Sequence, residues 1–231
     1  ATGRTGSALY HQLRGAGAPK VRALIRNVTK ARARLGCDRC DASEGIYVGD
    51  VTDPGSLVEA FDGVETAVIL TGSFPVKLPN GTQVYPKGGT PRDIDYLGTN
   101  NQVIVAVRAG VGRLVLVSSM GTTSPGNYLD LLDDGYVLSY KLNAEAYLMQ
   151  TAASLQGSST PLDYSIVKPS GLTPAVGAPT NASYVIGHSD CLMACPSGES
   201  SCGTISRDDL AHVLAKTVTL GLFRSTRYDL S

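Results

Sequence analysis

Five short apolar runs, each closed by turn residues, set the limits on what this chain can fold into. They are Val21 to Arg26 (VRALIR), Gly45 to Val48 (GIYV), Thr66 to Leu70 (TAVIL), Arg113 to Val117 (RLVLV) and Tyr164 to Val167 (YSIV). The stops are Asn27, Gly49-Asp50, Thr71-Gly72-Ser73, Ser118-Ser119 and Lys168-Pro169-Ser170-Gly171. Runs of this length and composition read as strands buried on both faces of a parallel sheet. Helical patterning lies between them, at Ser7 to Arg14, Pro54 to Phe61, Asp95 to Ala109, Tyr140 to Leu155 and Asp208 to Leu220. Asp53 before Pro54 and Ser206 before the last segment are start signals, and Gly110 is a stop signal. The alternation predicts an α/β fold: a doubly wound parallel sheet with right-handed crossovers. No repeat or linker divides the 231 residues, so one domain over 1–231 is expected. Two stretches break the rhythm. Ser73 to Arg92 follows the third run, where such folds place functional loops. Thr173 to Thr204 (residues 173–204 of the chain) reads as an irregular lid or small C-terminal substrate lobe.

The first residues, Ala1-Thr2-Gly3-Arg4-Thr5-Gly6, lead straight into a helical pattern. Glycines let backbone curl against a pyrophosphate and let a helix pack close, while the helix start offers free N–H groups and a positive dipole end. Two glycines three apart also fit an ordinary turn. The next strand ends in Arg26, where dinucleotide sites place an acid for the ribose 2′-OH of NAD. A guanidinium there matches the 2′-phosphate of NADP, and Arg4 could join it. The alternative for Arg26 is a solvated charge at a strand end.

In these motifs the chain resembles the atypical, NmrA-like members of the short-chain dehydrogenase/reductase superfamily. Their opening motif, G-A-T-G-R-T-G after a first strand, is matched by A-T-G-R-T-G at Ala1 to Gly6. The first strand and first glycine are thus expected to be missing from the sequence. The resemblance continues through Gly49-Asp50-Val51-Thr52-Asp53, Asp95-Tyr96 with Gly98 and Asn100, Val117-Ser118-Ser119-Met120-Gly121, Asn143-Ala144-Glu145, Lys168-Pro169-Ser170-Gly171-Leu172 and Ile205 to Ala211. It implies a Rossmann NAD(P)-binding domain. Cofactor-binding residues would be Thr2, Gly3, Arg4, Thr5, Gly6, Arg26, Asp50 and Val51 at the phosphate and adenosine end, then Thr71 and Gly72. Ser118, Lys141, Pro169 and Gly171 would lie toward the nicotinamide. Ser206 to Asp209 would stand near the substrate cleft, or simply cap a helix.

Reductases of this superfamily carry Tyr and Lys spaced Y-x-x-x-K on one helix face, the Lys lowering the phenol's pKa for proton exchange. That spacing is absent. With Asn143-Ala144-Glu145 set against the usual K-A-E, Asn143 takes the Lys position and Ser139 the Tyr position. The catalytic candidates are Ser119, Tyr140 and Lys141, with Tyr136 an alternative donor. Adjacent helix residues diverge by about 100°, so Tyr140 and Lys141 cannot point together. Two functions follow: an NADP(H)-dependent oxidoreductase acting on an unidentified small molecule, or an NADP(H) sensor or assembly factor without turnover.

Other classes find less support. The 20 Lys and Arg balance 20 Asp and Glu, so no nucleic-acid partner is expected. No apolar run approaches a membrane span. His11, His188 and His212 are scattered, and Ser118 is not embedded in G-x-S-x-G. Five cysteines without a secretory signal favour reduced thiols, with a redox-sensitive Cys37–Cys40 disulfide as the lesser option. Cys191, Cys195 and Cys202 cluster late, and no metal site is expected. The expected location is cytoplasmic, an organelle such as a plastid staying open because the natural N-terminus is taken to be missing.

Overall fold

The computed structural model describes residues 1–17, 20–124, 126–174, 179–180, 184–187, 190, 203–222, 224 and 226–230. Helix α1 (Arg4–Gly15) opens the chain, followed by β1 (Ala23–Ile25), α2 (Val28–Leu35) and β2 (Ile46–Val48). A 3₁₀ turn (Pro54–Leu57) runs into α3 (Val58–Phe61), then β3 (Thr66–Ile69) and the hairpin β4 (Val76–Lys77) and β5 (Gln83–Val84). A π turn (Arg92–Gly98) leads into α4 (Thr99–Arg108) and β6 (Arg113–Val117). After α5 (Val137–Ser154) come β7 (Asp163–Pro169), β8 (Gly171–Thr173), β9 (Ile186–Gly187), β10 (Thr204–Ser206), α6 (Arg207–Thr219) and β11 (Thr226–Leu230).

The main sheet has the order β3-β6-β7-β11-β9, parallel except for β9 at the edge. Its two faces follow the period-two alternation of the strands. Leu114, Leu116 and Ile166 pack with Val103, Ala106, Leu148 and Ala152 of α4 and α5. Val115, Val167, Tyr228 and Leu230 pack with Leu9 of α1 and Leu210 and Leu214 of α6. Helices thus cover both faces, as the doubly wound reading requires. The strands β1 and β2 form their own parallel pair, and Leu24 and Tyr47 pack against the α4–α5 side of the core. The ammonium of Ala1 donates to the carbonyl of Leu24.

Three local readings change. Val28–Leu35 forms a helix, capped by Asn27 accepting from the Lys30 amide, where no helix was expected. Residues 73–92 hold the β4–β5 hairpin, and the helix expected from Asp95 begins earlier, as the π turn. Cys37 and Cys40 are joined in a disulfide, where reduced thiols were expected. Gly36 and Cys40 both take left-handed backbone, curling the chain until the two Cα atoms lie 5.1 Å apart. Cys191, Cys195, Cys202 and His188 fall outside the described residues.

Of the expected lobe, three described points are tied to the body. The Asp209 carboxylate, on the first turn of α6, accepts from the Thr180 amide at 2.7 Å, the Tyr184 hydroxyl at 3.0 Å and the Ser206 hydroxyl at 2.6 Å. The Asp190 carboxylate meets the Lys168 ammonium at 2.6 Å and accepts from the Thr123 amide and hydroxyl.

Candidate functional site

The carboxyl ends of β1, β2, β3, β6 and β7 carry the expected site residues, the edge at which open α/β sheets bind ligands. Gly3 caps α1 with extended backbone, no side chain satisfies the first-turn amides, and no acid sits in that turn. The start of α1 is therefore open to an anion. A Cβ on Gly6 would lie 2.7 Å from the Ala1 carbonyl oxygen, so only glycine allows this approach. Gly3 and Arg4 are exposed, and Thr2 and Thr5 half-buried. Arg207, at the start of α6, donates to the Thr173 carbonyl at 2.6 Å. Burial and the neighbouring Arg4 charge hold its guanidinium below the usual arginine range. The second cation near Arg4 is thus Arg207, which no spacing in the sequence pairs with it.

Arg26 directly follows β1 and Asp50 lies just past β2, brought abreast by the Ile25–Val48 pairing. Their charged groups are 3.8 Å apart, with side chains 68% and 42% exposed, so the guanidinium is open to a ligand. Burial pushes the Asp50 carboxyl up, but the Thr52 amide and hydroxyl and the Arg26 charge together bring it below its usual value. Val51 is buried; a Cβ on Gly98 would come within 2.7 Å of it, and Asn101 donates to its carbonyl.

Farther along the edge, Thr71, Asp95, Thr99, Leu116, Val117, Ser118, Lys141 and Ala144 line a small recess. The Lys141 ammonium is 2.7 Å from Asp95 Oδ1, a carboxylate with no exposed side-chain surface. Asp95 Oδ2 accepts from the Ser73 amide at 3.0 Å and its hydroxyl at 2.5 Å. Gln102 donates to the Thr71 hydroxyl. Gly72 lies beside the ion pair: a Cβ there would be 3.5 Å from Asp95 Oδ1 and 3.9 Å from the Lys141 ammonium. The buried Ser118 hydroxyl donates to Glu145 at 2.5 Å, as does Thr122 at 3.1 Å, while Arg227 pairs with the other Glu145 oxygen at 2.7 Å.

The expected catalytic residues divide. Lys141 lies in the recess with Ser118 and Thr71. Ser119 is half-buried, and its hydroxyl turns to the Met120 carbonyl. Tyr140 stacks on Tyr96, ring centres 6.2 Å apart, and is not among the lining residues. Tyr136 caps α5 in left-handed backbone and is half exposed. Asn143 is exposed, so the lysine position inferred from K-A-E is empty of charge and Lys141 stands at the recess instead. Pro169 is buried at the end of β7, its carbonyl accepting from the Met120 amide; Gly171 is exposed on β8.

Compared with known proteins, residues 1–219 match the model of the NAD(P)H-binding family. The chain belongs to that family. It is 31% identical to the uncharacterized chloroplastic protein At2g34460 of Arabidopsis thaliana over 94% of this chain and 69% of that protein. It is 25% identical to sanguinarine reductase of Eschscholzia californica over 100% of this chain and 86% of the reductase. Among solved structures, a short-chain dehydrogenase/reductase from Veillonella parvula in complex with NADP superposes with a TM-score of 0.65 at 15% identity, covering 100% of this chain and 91% of that one. The last shows the shared Rossmann-like fold. A nicotinamide dinucleotide fits the site: an uncapped helix start, a glycine no side chain can replace, and an exposed guanidinium, Arg26, just past β1. Among the described residues no helix is long and apolar enough to cross a membrane.

Proposed function

We propose that this chain is an NADP(H)-dependent oxidoreductase acting on a small molecule. The observation that carries the reading is the convergence of Thr71, Ser118 and Lys141 in one recess at the carboxyl ends of β3 and β6. It lies on the same sheet edge as the open start of α1, so one extended dinucleotide can reach both. Kinship with sanguinarine reductase supports reductive chemistry. Exposed Arg26 supports NADPH over NADH, because a guanidinium satisfies a phosphate bidentately.

Thr2 to Gly6 would hold the pyrophosphate, Arg26 the 2′-phosphate, Asp50 and Val51 the adenosine side, Thr71 and Gly72 the adjoining ribose. Ser118, Pro169 and Gly171 would flank the nicotinamide. When bound, the cofactor supplies a hydride. Lys141 presents an ammonium to the ribose and to a substrate oxygen. Ser119, free to rotate its hydroxyl from a carbonyl in its own loop, supplies a second donor, while Tyr140 stays outside the recess, stacked on Tyr96. A second reading, binding without turnover, draws support from that Tyr140 stack, which turns the phenol to another ring. Titration with NADPH followed by its oxidation against carbonyls and quinones separates the two. Consumption with any member supports the reductase; tight binding with none consumed supports the sensor. Failure to bind either dinucleotide overturns both. The chloroplastic relatives favour a plastid over the expected cytoplasm as the place to look for the protein.

A further inference from the structure

Asp95 is the most deeply committed charge at the recess. Its side chain is fully buried, yet all of its polar partners come from outside its own turn: Lys141 on α5, and the amide and hydroxyl of Ser73 at the start of the 73–92 loop. A carboxylate held this way stays in place only while its donors do, since an unpaired buried charge is expensive. The backbone beneath it is a π turn, a local insertion that re-aims side chains and recurs at functional sites. The same turn and the start of α4 also hold two further points of the proposed cofactor track, Val51 and Thr71. Gly98 packs on Val51, Asn101 holds the Val51 carbonyl, and Gln102 holds Thr71.

We propose that Asp95 is a positioning residue that couples dinucleotide binding to closure of the 73–92 loop. One oxygen fixes the ammonium that faces the cofactor, and the other fixes the loop that faces the substrate. The two cannot be set independently, because both hang on one rigid carboxylate. Charge-assisted bonds at 2.5 to 3.0 Å are the strong kind. A ligand that orders Lys141 therefore orders Asp95, and through it Ser73. The loop beyond Ser73 holds exposed Phe74, Val76 and Lys77, and later exposed Lys87, so its closing is open to measurement. Asp95 touches no reacting atom in this scheme; it acts through Lys141 and Ser73. The inference rests on the dinucleotide reading above.

The test uses the full chain and NADPH. Fluorescence titration gives the affinity, and timed trypsin cleavage followed by mass spectrometry gives the rates of the cuts after Lys77 and Lys87. In the unaltered protein, saturating NADPH is expected to slow both cuts by about fivefold or more, the lower end of ordinary coupling. Asp95→Asn should bind NADPH at higher concentration and show no slowing. Asp95→Glu, which keeps the charge, should restore part of it. Ser73→Ala removes the hydroxyl bond and keeps the amide bond, so it should raise the basal cleavage rate, shrink the slowing and, because coupling is reciprocal, weaken NADPH binding by no more than the slowing it loses. If Asp95→Asn does not fold, Ser73→Ala and Lys141→Met at saturating NADPH decide: the first should lose part of the slowing and the second most of it. Slowing undiminished in these variants, or NADPH binding to the unaltered protein without any slowing, overturns the coupling alone. Absence of NADPH binding by the unaltered protein overturns the dinucleotide reading and the coupling with it.

Discussion

Arg26 shows how much one side chain can decide. It stands at the end of β1 with most of its guanidinium in solvent, and its neighbouring carboxylate, Asp50, is 3.8 Å away. An exposed pair at that distance contributes little to stability, so the arginine is available to a ligand at small cost. Arg26→Asp should leave the fold unchanged and weaken NADPH binding by about tenfold or more, while NADH binding changes far less. Parallel titrations with both dinucleotides check this, and equal losses would remove the 2′-phosphate assignment. The place of Arg26 was legible in the sequence because it depends on position alone: just past the first strand that follows the glycine turn. Asp95 was visible only as part of a motif. Its partnership with Lys141 and Ser73 depends on how the π turn meets α5, and no spacing in the sequence records that contact. Lys168 and Arg227 were hidden for the opposite reason. Each is a charge within a strand, where buried carboxylates, Asp190 and Glu145, reach it from distant segments.

Elements were legible where a single physical signal dominated. The runs RLVLV and YSIV became β6 and β7 because nothing but a buried strand suits such residues. Helix α2 escaped because three of its eight residues are Lys or Arg and only Ala31 and Leu35 are buried. Strand β11 (TRYDL) escaped because Arg227 interrupts its apolar pattern; Tyr228 and Leu230 are the residues it buries. The clearest capping signal held: Ser206 caps α6, its hydroxyl accepting from the Asp209 amide at 3.1 Å. The same hydroxyl donates to the Asp209 carboxylate, so it serves both the helix and the anchor of the segment at Thr180 and Tyr184. Ser206→Ala is expected to cost about 1 to 2 kcal/mol, at the upper end for a cap, because the buried Asp209 loses a donor as well. Urea unfolding measures it. A change below about 0.5 kcal/mol would mean that the shared arrangement adds nothing to an ordinary cap.

Across the whole molecule, acid is the condition that searches out these anchors. For Asp190, burial acts to raise the carboxyl, but the Lys168 ammonium and the Thr123 hydroxyl and amide outweigh it and hold it below the usual carboxylate range. Asp209 behaves alike, with Ser206, Thr180 and Tyr184 outweighing burial, while the Tyr184 phenol is pushed up to about 12. A carboxyl lowered on folding contributes stability that is present above its unfolded value, about 3.9, and lost as pH falls through the folded one. The urea midpoint should therefore hold from neutrality to about pH 5 and fall steeply below about pH 4. In Asp209→Asn the fall should be shallower, on a lower plateau. An unchanged slope would assign the acid sensitivity to other groups.

The two aspartates have one more consequence. They divide the C-terminal region into parts under different constraints. Thr180 and Tyr184 meet Asp209, Ile186 and Gly187 pair with β11 at the edge of the sheet, and Asp190 meets Lys168, so the described parts of 180–190 are each fastened separately. Fastened at separate points, such a stretch behaves like a stitched hem: losing one stitch loosens it locally while the others hold.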